Sequence, residues 1–375
     1  MPSSGIIDLV IGLTFVFGVT AALSSAVTEL IARLLGLRGA YLLTGLRELV
    51  DGGNVTTDLG RAETAYRDMQ DMVRTGQAPA DPAQVPSATG ALLGGPILSS
   101  QGMAGQISSR KLTLEPAAKE GRLPKMTADR QAGSLWGQRR SLPSYISAKS
   151  FAEAVVDLVV PDAAGQTSMD VILANVQALP DSPLKQALLA LVKNADNDMG
   201  QFRTGIERWY DDHMDRVSGW YKRHVAKITL AAGAILVVLL NINALTIGRT
   251  LYTESAVSSA VSTVAAKVTS CSANESRSEC LANLEGQLSA AAAAGLPIGW
   301  GTVRDCTEPN AQCNWLDQRG IFSRHGNSGW QLVLVLIGFL IMVIAIVPGA
   351  QFWFGLLSKI GSLSTTGPKP AAAGS

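Results

Sequence analysis

Three stretches of this chain run too long without a charged side chain to be ordinary surface. Residues 9–28, 228–248 and 326–358 hold 20, 21 and 33 consecutive positions free of Asp, Glu, Lys, Arg and His. A helix rises about 1.5 Å per residue, so about 20 residues cross the roughly 30 Å hydrocarbon layer of a bilayer. The second stretch, ITLAAGAILVVLLNINALTI, is the clearest span. The third, Trp330 to Val347, meets Pro348, which predicts a kink or stop there. The first is the least apolar. Its leader, MPSSGIID, carries Asp8 and no Lys or Arg, unlike the basic start of a secretory signal, so it reads as a retained helix.

Composition agrees with membrane. Charged residues make up 16% of the chain, against about 25% in soluble domains. The 31 basic and 30 acidic side chains nearly cancel, which excludes a polybasic nucleic-acid binder. The expected fold is mainly α. It has three transmembrane helices, a helical cytoplasmic domain between helices 1 and 2, and a small disulfide-tied extracytoplasmic loop domain between helices 2 and 3.

Basic residues near the helix ends set the expected orientation. Arg33, Arg38 and Arg47 follow the first helix, and Arg208, Arg216, Lys222, Arg223 and Lys227 precede the second. The other side has Arg249, Lys267, Arg319 and Arg324 and a leader without basic residues. The N-terminus is therefore expected outside and the C-terminus in the cytoplasm. Cys271, Cys280, Cys306 and Cys313 all fall in the segment assigned outside, where disulfides persist. Spacing favours the local pairs Cys271–Cys280 and Cys306–Cys313, with the other pairings open. A zinc site would need CxxC-like spacing, which neither pair has.

The chain is accordingly divided into helix 1 at 6–31, a cytoplasmic helical extension at 32–75, a linker at 76–150 and a cytoplasmic helical domain at 151–224. Helix 2 follows at 225–248, the extracytoplasmic domain at 249–328, helix 3 at 329–348, and an interfacial segment with a flexible tail at 349–375. Leucines from Leu34 to Leu49 continue the apolar stripe of helix 1 until Gly52 and Gly53. Leu59, Ala62, Tyr66, Met69 and Val73 share a face of a second helix. The linker holds 7 of the 16 prolines and 9 glycines without sustained period, which reads as loop. Ser182 is an N-cap candidate with Pro183 in the first turn, and the absence of proline from there to Pro297 permits one very long rod.

Candidate functional residues are few. At the cytoplasmic mouth of helix 2, ERWYDDHMDRVSGWYKRH gathers Trp209, Asp212, Asp215, Arg216, Trp220, Tyr221, Lys222 and Arg223. Asp211, Asp212, Asp215 and His213 suggest a metal site, but on one helix His213 leaves the face that Asp211 and Asp215 share. A structural reading fits better. Met214, Val217 and Tyr221 pack, Asp212 pairs with Arg216, and Trp220 and Tyr221 sit at headgroup level. Glu29, Asn241 and Asn243 are the intramembrane polar residues, costly to bury unless bonded and expected to join helices. Ser24, Ser25, Gly233 and Gly338 are small enough for close helix approach.

The segments IGLTFVFGVTAALSSAVTELIARLLGLR, LPSYISAKSFAEAVVDLV, RTGIERWYDDHMDRVSGWYKRHVAKITL, LPIGW and GAQFWFGLLSKIGSL together resemble a family of bacterial inner-membrane proteins. That family has three transmembrane helices, a WYDDHMDRVSGWYKR-type juxtamembrane motif and no assigned activity. Gln351 and Gly355 stand where its tail carries Pro and Asp. The resemblance implies a bacterial plasma membrane location and no mechanism.

No enzyme is expected. GALLGGPILSSQG lacks the Lys of a phosphate loop, and three histidines leave few general bases. No cofactor, metal, nucleic acid or small-molecule substrate is implied. The expected partners are the lipid bilayer and either further copies of the chain or a cytoplasmic protein. The expected function is an anchor or scaffold acting through the cytoplasmic helical domain, with an oligomeric pore or permeability effector as the alternative.

Overall fold

The computed structural model describes residues 3–53, 55–77, 79, 85–100, 111–116, 122–129, 134–140, 142–160, 168–266, 277–299 and 329–365. The fold is mainly helical. It divides into two compact units, Ile31–His224 and a second made of Met1–Leu30 with Val225–Ser375.

In the Ile31–His224 unit, α2 (Leu37–Asp51) follows the first helix, α1 (Ser3–Leu34), across a break at Gly36. The apolar stripe read as continuous is interrupted there. Gly36 takes φ 60°, and a Cβ would meet the Arg139 backbone at 2.7 Å, so only glycine fits. A 3-10 turn at Leu59–Arg61, begun by Asp58 accepting from Gly60 N at 2.9 Å, leads into α3 (Ala62–Thr75). Leu59, Ala62, Met69 and Val73 turn into the core.

The stretch 76–150 is where the linker reading is corrected. It contains α4 (Ala88–Gly94), α5 (Pro96–Ser99) and α6 (Leu135–Arg140). Strands β1 (Thr57–Asp58), β2 (Leu112–Leu114) and β3 (Met126–Ala128) form an antiparallel sheet in that order. Leu92, Leu98, Leu112 and Leu114 are fully buried. Its glycines mark close packing: a Cβ on Gly94 would collide with the carbonyl of Ala62. Asp51 fixes the start of α4, accepting from Ala88 N at 2.7 Å, Thr89 N at 3.1 Å and the Ser87 hydroxyl at 2.9 Å.

Helices α7 (Ala148–Val159), α8 (Met169–Ala178) and α9 (Pro183–Asn194) complete the layer around this core. Serines 147, 168 and 182 cap them in turn. The single rod is also corrected. Asp196 and Asn197, at φ 45° and 63°, break it before α10 (Met199–Leu239). Asp and Asn tolerate left-handed backbone, so they break helices that proline counting leaves intact. The glycines Gly200, Gly205 and Gly219 stay helical.

The second unit contains most of α1 and the C-terminal part of α10, then α11 (Ala244–Thr253), α12 (Ser255–Ala266), α13 (Arg277–Ala293), α14 (Gly329–Ile346) and α15 (Ala350–Thr365). Asn241, at φ 47°, separates α10 from α11, and the pair bends by 53°. Pro348 and Gly349, the latter at φ 82°, separate α14 from α15, which bend by 93°. Among the described residues, one helix, α1 from Ile6, is long and apolar enough to cross a membrane, or up to three are if each bent pair is one span.

Phe15, Val16, Val19, Ile247, Leu251, Val261, Leu284, Leu288 and Met342 share one apolar cluster. The described part of 249–328 therefore packs into the core of this unit. Aromatic residues Trp353 and Phe354 of α15 meet α1 at Gly18, and Trp353 tilts against Phe17 at 5.0 Å.

Burial on α14 follows the helical period, but its chemistry does not. Val335, Gly338, Met342, Ala345 and Ile346 face inward. The exposed side carries Leu332, Val333, Leu336, Ile337, Leu340, Ile341, Ile344 and Val347. Leu230, Ile235, Val238 and Leu239 near the end of α10 are likewise exposed. A water-facing helix carries polar residues on its outer side; contiguous apolar surface of this kind marks contact with membrane or partner.

Candidate functional site

The motif expected at the mouth of helix 2 lies on α10, and the fold spreads its residues over two clefts of the Ile31–His224 unit. The first, about 670 Å3, is lined by Trp209 and Asp212 with Leu191, Asp198, Thr204 and Arg208. Trp209 also packs on Phe151 at 6.2 Å. The second, about 460 Å3, collects Arg38 and Tyr41 of α2, Tyr145 of the segment before α7, and Tyr210, Asp211, Asp215 and Tyr221 of α10.

Glycine brings α2 close enough to form this second cleft. A Cβ on Gly45 would collide with Val217, and one on Gly39 would meet the Leu142 Cβ at 2.7 Å. Tyr210 is buried, stacks on Phe151 at 4.5 Å and donates its hydroxyl to the Ile146 carbonyl at 2.9 Å. Burial pushes its phenol up from the ordinary range, with Tyr145 and Asp211 adding to the effect. Burial likewise raises the Tyr41 phenol. Tyr41 and Tyr221 meet edge to face at 5.9 Å, and Arg38 Nε donates to the Tyr221 hydroxyl at 3.2 Å.

Val217 is buried and Met214 packs against the core, with Tyr221 half-buried. The expected Asp212–Arg216 ion pair is corrected. The Arg216 guanidinium donates to His213 Nδ1 at 3.0 Å, an i,i+3 contact that competes for the same side chain. Trp220, expected at headgroup level, lies edge-on to His213 at 6.1 Å. Lys222 and Arg223 are exposed. Among the described residues, no group of three or more His, Cys, Asp or Glu is placed to hold a metal ion.

Of the three polar residues expected inside the membrane, Asn243 donates from Nδ2 to the Val335 carbonyl of α14 at 3.0 Å. Its Oδ1 caps α11, accepting from Leu245 N at 3.1 Å and Thr246 N at 3.2 Å. Asn241 is fully buried and its Nδ2 reaches the Gly299 carbonyl at 3.4 Å. Glu29 is half-buried on α1. Ser24 is buried and Ser25 exposed; a Cβ on Gly233 would lie 3.2 Å from the Ser24 hydroxyl. Asp8, on the leader side of α1, accepts from the Ser262 hydroxyl at 3.1 Å. Cys271, Cys306 and Cys313 lie outside the described residues, as does the side chain of Cys280, whose backbone is in α13.

Two features had weak sequence signals. Arg47, counted as an orientation marker, is fully buried and donates from Nη1 to the Glu115 carbonyl at 2.6 Å. The four-tyrosine cleft draws on positions 41, 145, 210 and 221, too scattered for any motif. Neither a family model, a curated protein nor a solved structure matches the chain.

Proposed function

We propose that the chain is an integral membrane protein that tethers its Ile31–His224 unit to the bilayer at both ends of that unit, acting as an anchor or scaffold through protein–protein contact. The observation that carries this reading is the contrast between two surfaces. Helix α14 and the end of α10 expose large apolar side chains on their outer faces, whereas the Ile31–His224 unit has its own packed core and, among its described residues, only scattered exposed apolar residues such as Trp136 and Val171.

In this reading α1, the α10–α11 pair and α14 are the three spans. The N-terminus lies outside, residues 31–224 and the C-terminus lie in the cytoplasm, and the cysteines face the oxidising side. The location proposed is the bacterial plasma membrane, which the family resemblance suggests. The exposed surface of the helical unit mixes acidic and basic side chains, such as Glu63 with Arg67 and Glu153 with Lys149, and suits a protein partner or a second copy better than a substrate.

Labelling tests the topology. A thiol reagent that does not cross membranes should modify a Lys149→Cys variant only after the membrane is opened; labelling in intact cells contradicts the reading. Cross-linking from an unnatural photoreactive residue at Trp136 or Val171 should give a discrete adduct with a second copy or one reproducible partner. A monomer without adducts argues against a scaffold.

The interruption of both later apolar helices supports a second reading, an oligomeric pore or permeability effector, because unwound backbone at membrane depth is tolerated where it is buried in protein or lines a cavity. Ion flux through liposomes that responds to Asn241→Leu or Glu29→Leu would favour it over the scaffold.

A further inference from the structure

The cleft between α2, the segment before α7, and α10 is lined in a way that packing alone does not require. Four phenols, from Tyr41, Tyr145, Tyr210 and Tyr221, border about 460 Å3 together with the carboxylates of Asp211 and Asp215. Both carboxylates are exposed to solvent, and among the described lining residues Arg38 is the only cation. The site therefore carries a net negative charge.

Aromatic faces attract cations through the ring quadrupole, more strongly where water is thinned out. Tyr41 and Tyr221 stand at 71° to each other with centroids 5.9 Å apart, forming a corner in which a compact cation can touch two rings. Tyr210 is buried, stacked on Phe151 with its hydroxyl committed to the Ile146 carbonyl, so it is a fixed wall of the cleft and offers no free oxygen. Arg38 already shows how this lining treats a cation: its guanidinium carbon lies 5.9 Å from the Tyr221 centroid. A hard metal ion fits poorly, since calcium takes six to eight oxygen ligands and two exposed carboxylates on one helix supply few of them.

We propose that this cleft binds a quaternary ammonium group, held by the tyrosine rings and steered by Asp211 and Asp215. Soluble choline-like compounds and phosphatidylcholine headgroups share this chemistry. The inference stands apart from the scaffold reading, because every lining residue belongs to the Ile31–His224 unit.

The test titrates choline into the full-length protein in phosphatidylglycerol nanodiscs, followed by calorimetry, beside 3,3-dimethylbutan-1-ol, a neutral isostere of the same shape. Choline is expected to bind about tenfold more tightly than the isostere. Tyr145→Ala, at a side chain 73% exposed and so dispensable for folding, should weaken choline about two- to fivefold, with Tyr145→Phe restoring it. Asp215→Asn should also weaken choline and flatten the salt dependence. Adding phosphatidylcholine to the nanodiscs separates the sources: lost choline sites mark a lipid headgroup, and unchanged sites mark a soluble ligand. Equal binding of the isostere, no choline binding in either lipid composition, or undiminished binding by both Tyr145→Ala and Asp215→Asn would overturn the proposal. None of those results bears on the membrane topology.

Discussion

The side-chain amide of Asn243 occupies the volume that a Cβ on residue 338 would need, so Gly338 of α14 and Asn243 at the start of α11 are fitted to one another. The fit lets one amide make three hydrogen bonds. It caps α11 through Leu245 N and Thr246 N, and it joins α11 to α14 through the Val335 carbonyl.

Gly338→Ala should therefore be destabilising although alanine is the better helix former. The added methyl has no room, and overpacking of this kind costs about 1–3 kcal/mol. Asn243→Ala should cost about 1–2 kcal/mol through the lost cap and interhelical bond. Because both changes act on one contact, the double variant should be more stable than the sum of the single losses predicts. Thermal unfolding of the four proteins in one detergent reads the coupling; strict additivity contradicts it.

Arg47 gives a second prediction. Its guanidinium is fully buried, bonded to the Glu115 carbonyl at the end of β2, with Asp51 and Glu48 close enough to favour its charge against the burial that disfavours it. Arg47→Ala leaves a cavity and removes the positive charge facing buried Asp51, which itself caps α4, for a loss of about 3–5 kcal/mol. Arg47→Met, which keeps most of the volume, should lose less. Hydrogen exchange in the peptides covering 88–100 and 111–116 should rise more than in α13. A uniform rise across the chain would show that Arg47 does not act on this local network.

The apolar helices were legible because a run of 20 uncharged residues is a property of composition and survives any detail of packing. The stop at Pro348 was legible as well, since proline cannot continue a helix, but the break after the first helix was not. Gly36 sits in the leucine stripe LLGLR, and nothing in the stripe says that the Arg139 backbone will approach within 2.7 Å of its missing Cβ. The stretch 76–150 misled for a related reason. Glycine and proline serve loops and tight tertiary contacts alike, and only the approach of Ala62 to Gly94 distinguishes the two. Asn241 and Asn243 were visible as costly polar groups, but which one breaks the helix and which one caps it depends on backbone angles that a linear pattern does not carry. The tyrosine cleft was invisible, since α2 and α10 meet only in the folded unit.

Asn241 tests that point directly. Its φ of 47° is left-handed, where Asn is tolerated and most side chains pay about 1–2 kcal/mol. Asn241→Val should lower the melting temperature clearly, whereas Asn241→Gly should retain more of the stability through its free backbone, losing mainly the contact with the Gly299 carbonyl. If valine is tolerated as well as glycine, the break between α10 and α11 does not depend on this residue.

The phenols of the Ile31–His224 unit predict its behaviour at high pH. Tyr66 is raised well above its ordinary value of 10.0, by burial first and then by its 2.6 Å hydrogen bond to Asp157, and Tyr210 is raised chiefly by burial. A phenol whose folded value is raised keeps its proton in the native state while the unfolded chain begins to lose its own near pH 10. The unfolded state then binds fewer protons, so stability present below about pH 10 falls as pH rises toward the folded value. At pH 7 Tyr66→Phe should lose two hydrogen bonds, to Asp157 and from Gln70, and Tyr210→Phe one, each worth about 1 kcal/mol, and together they should flatten the decline of stability between about pH 9.5 and 11. Denaturant midpoints measured across that window check both effects. A double variant with the same alkaline slope as the parent would place the titrating groups elsewhere.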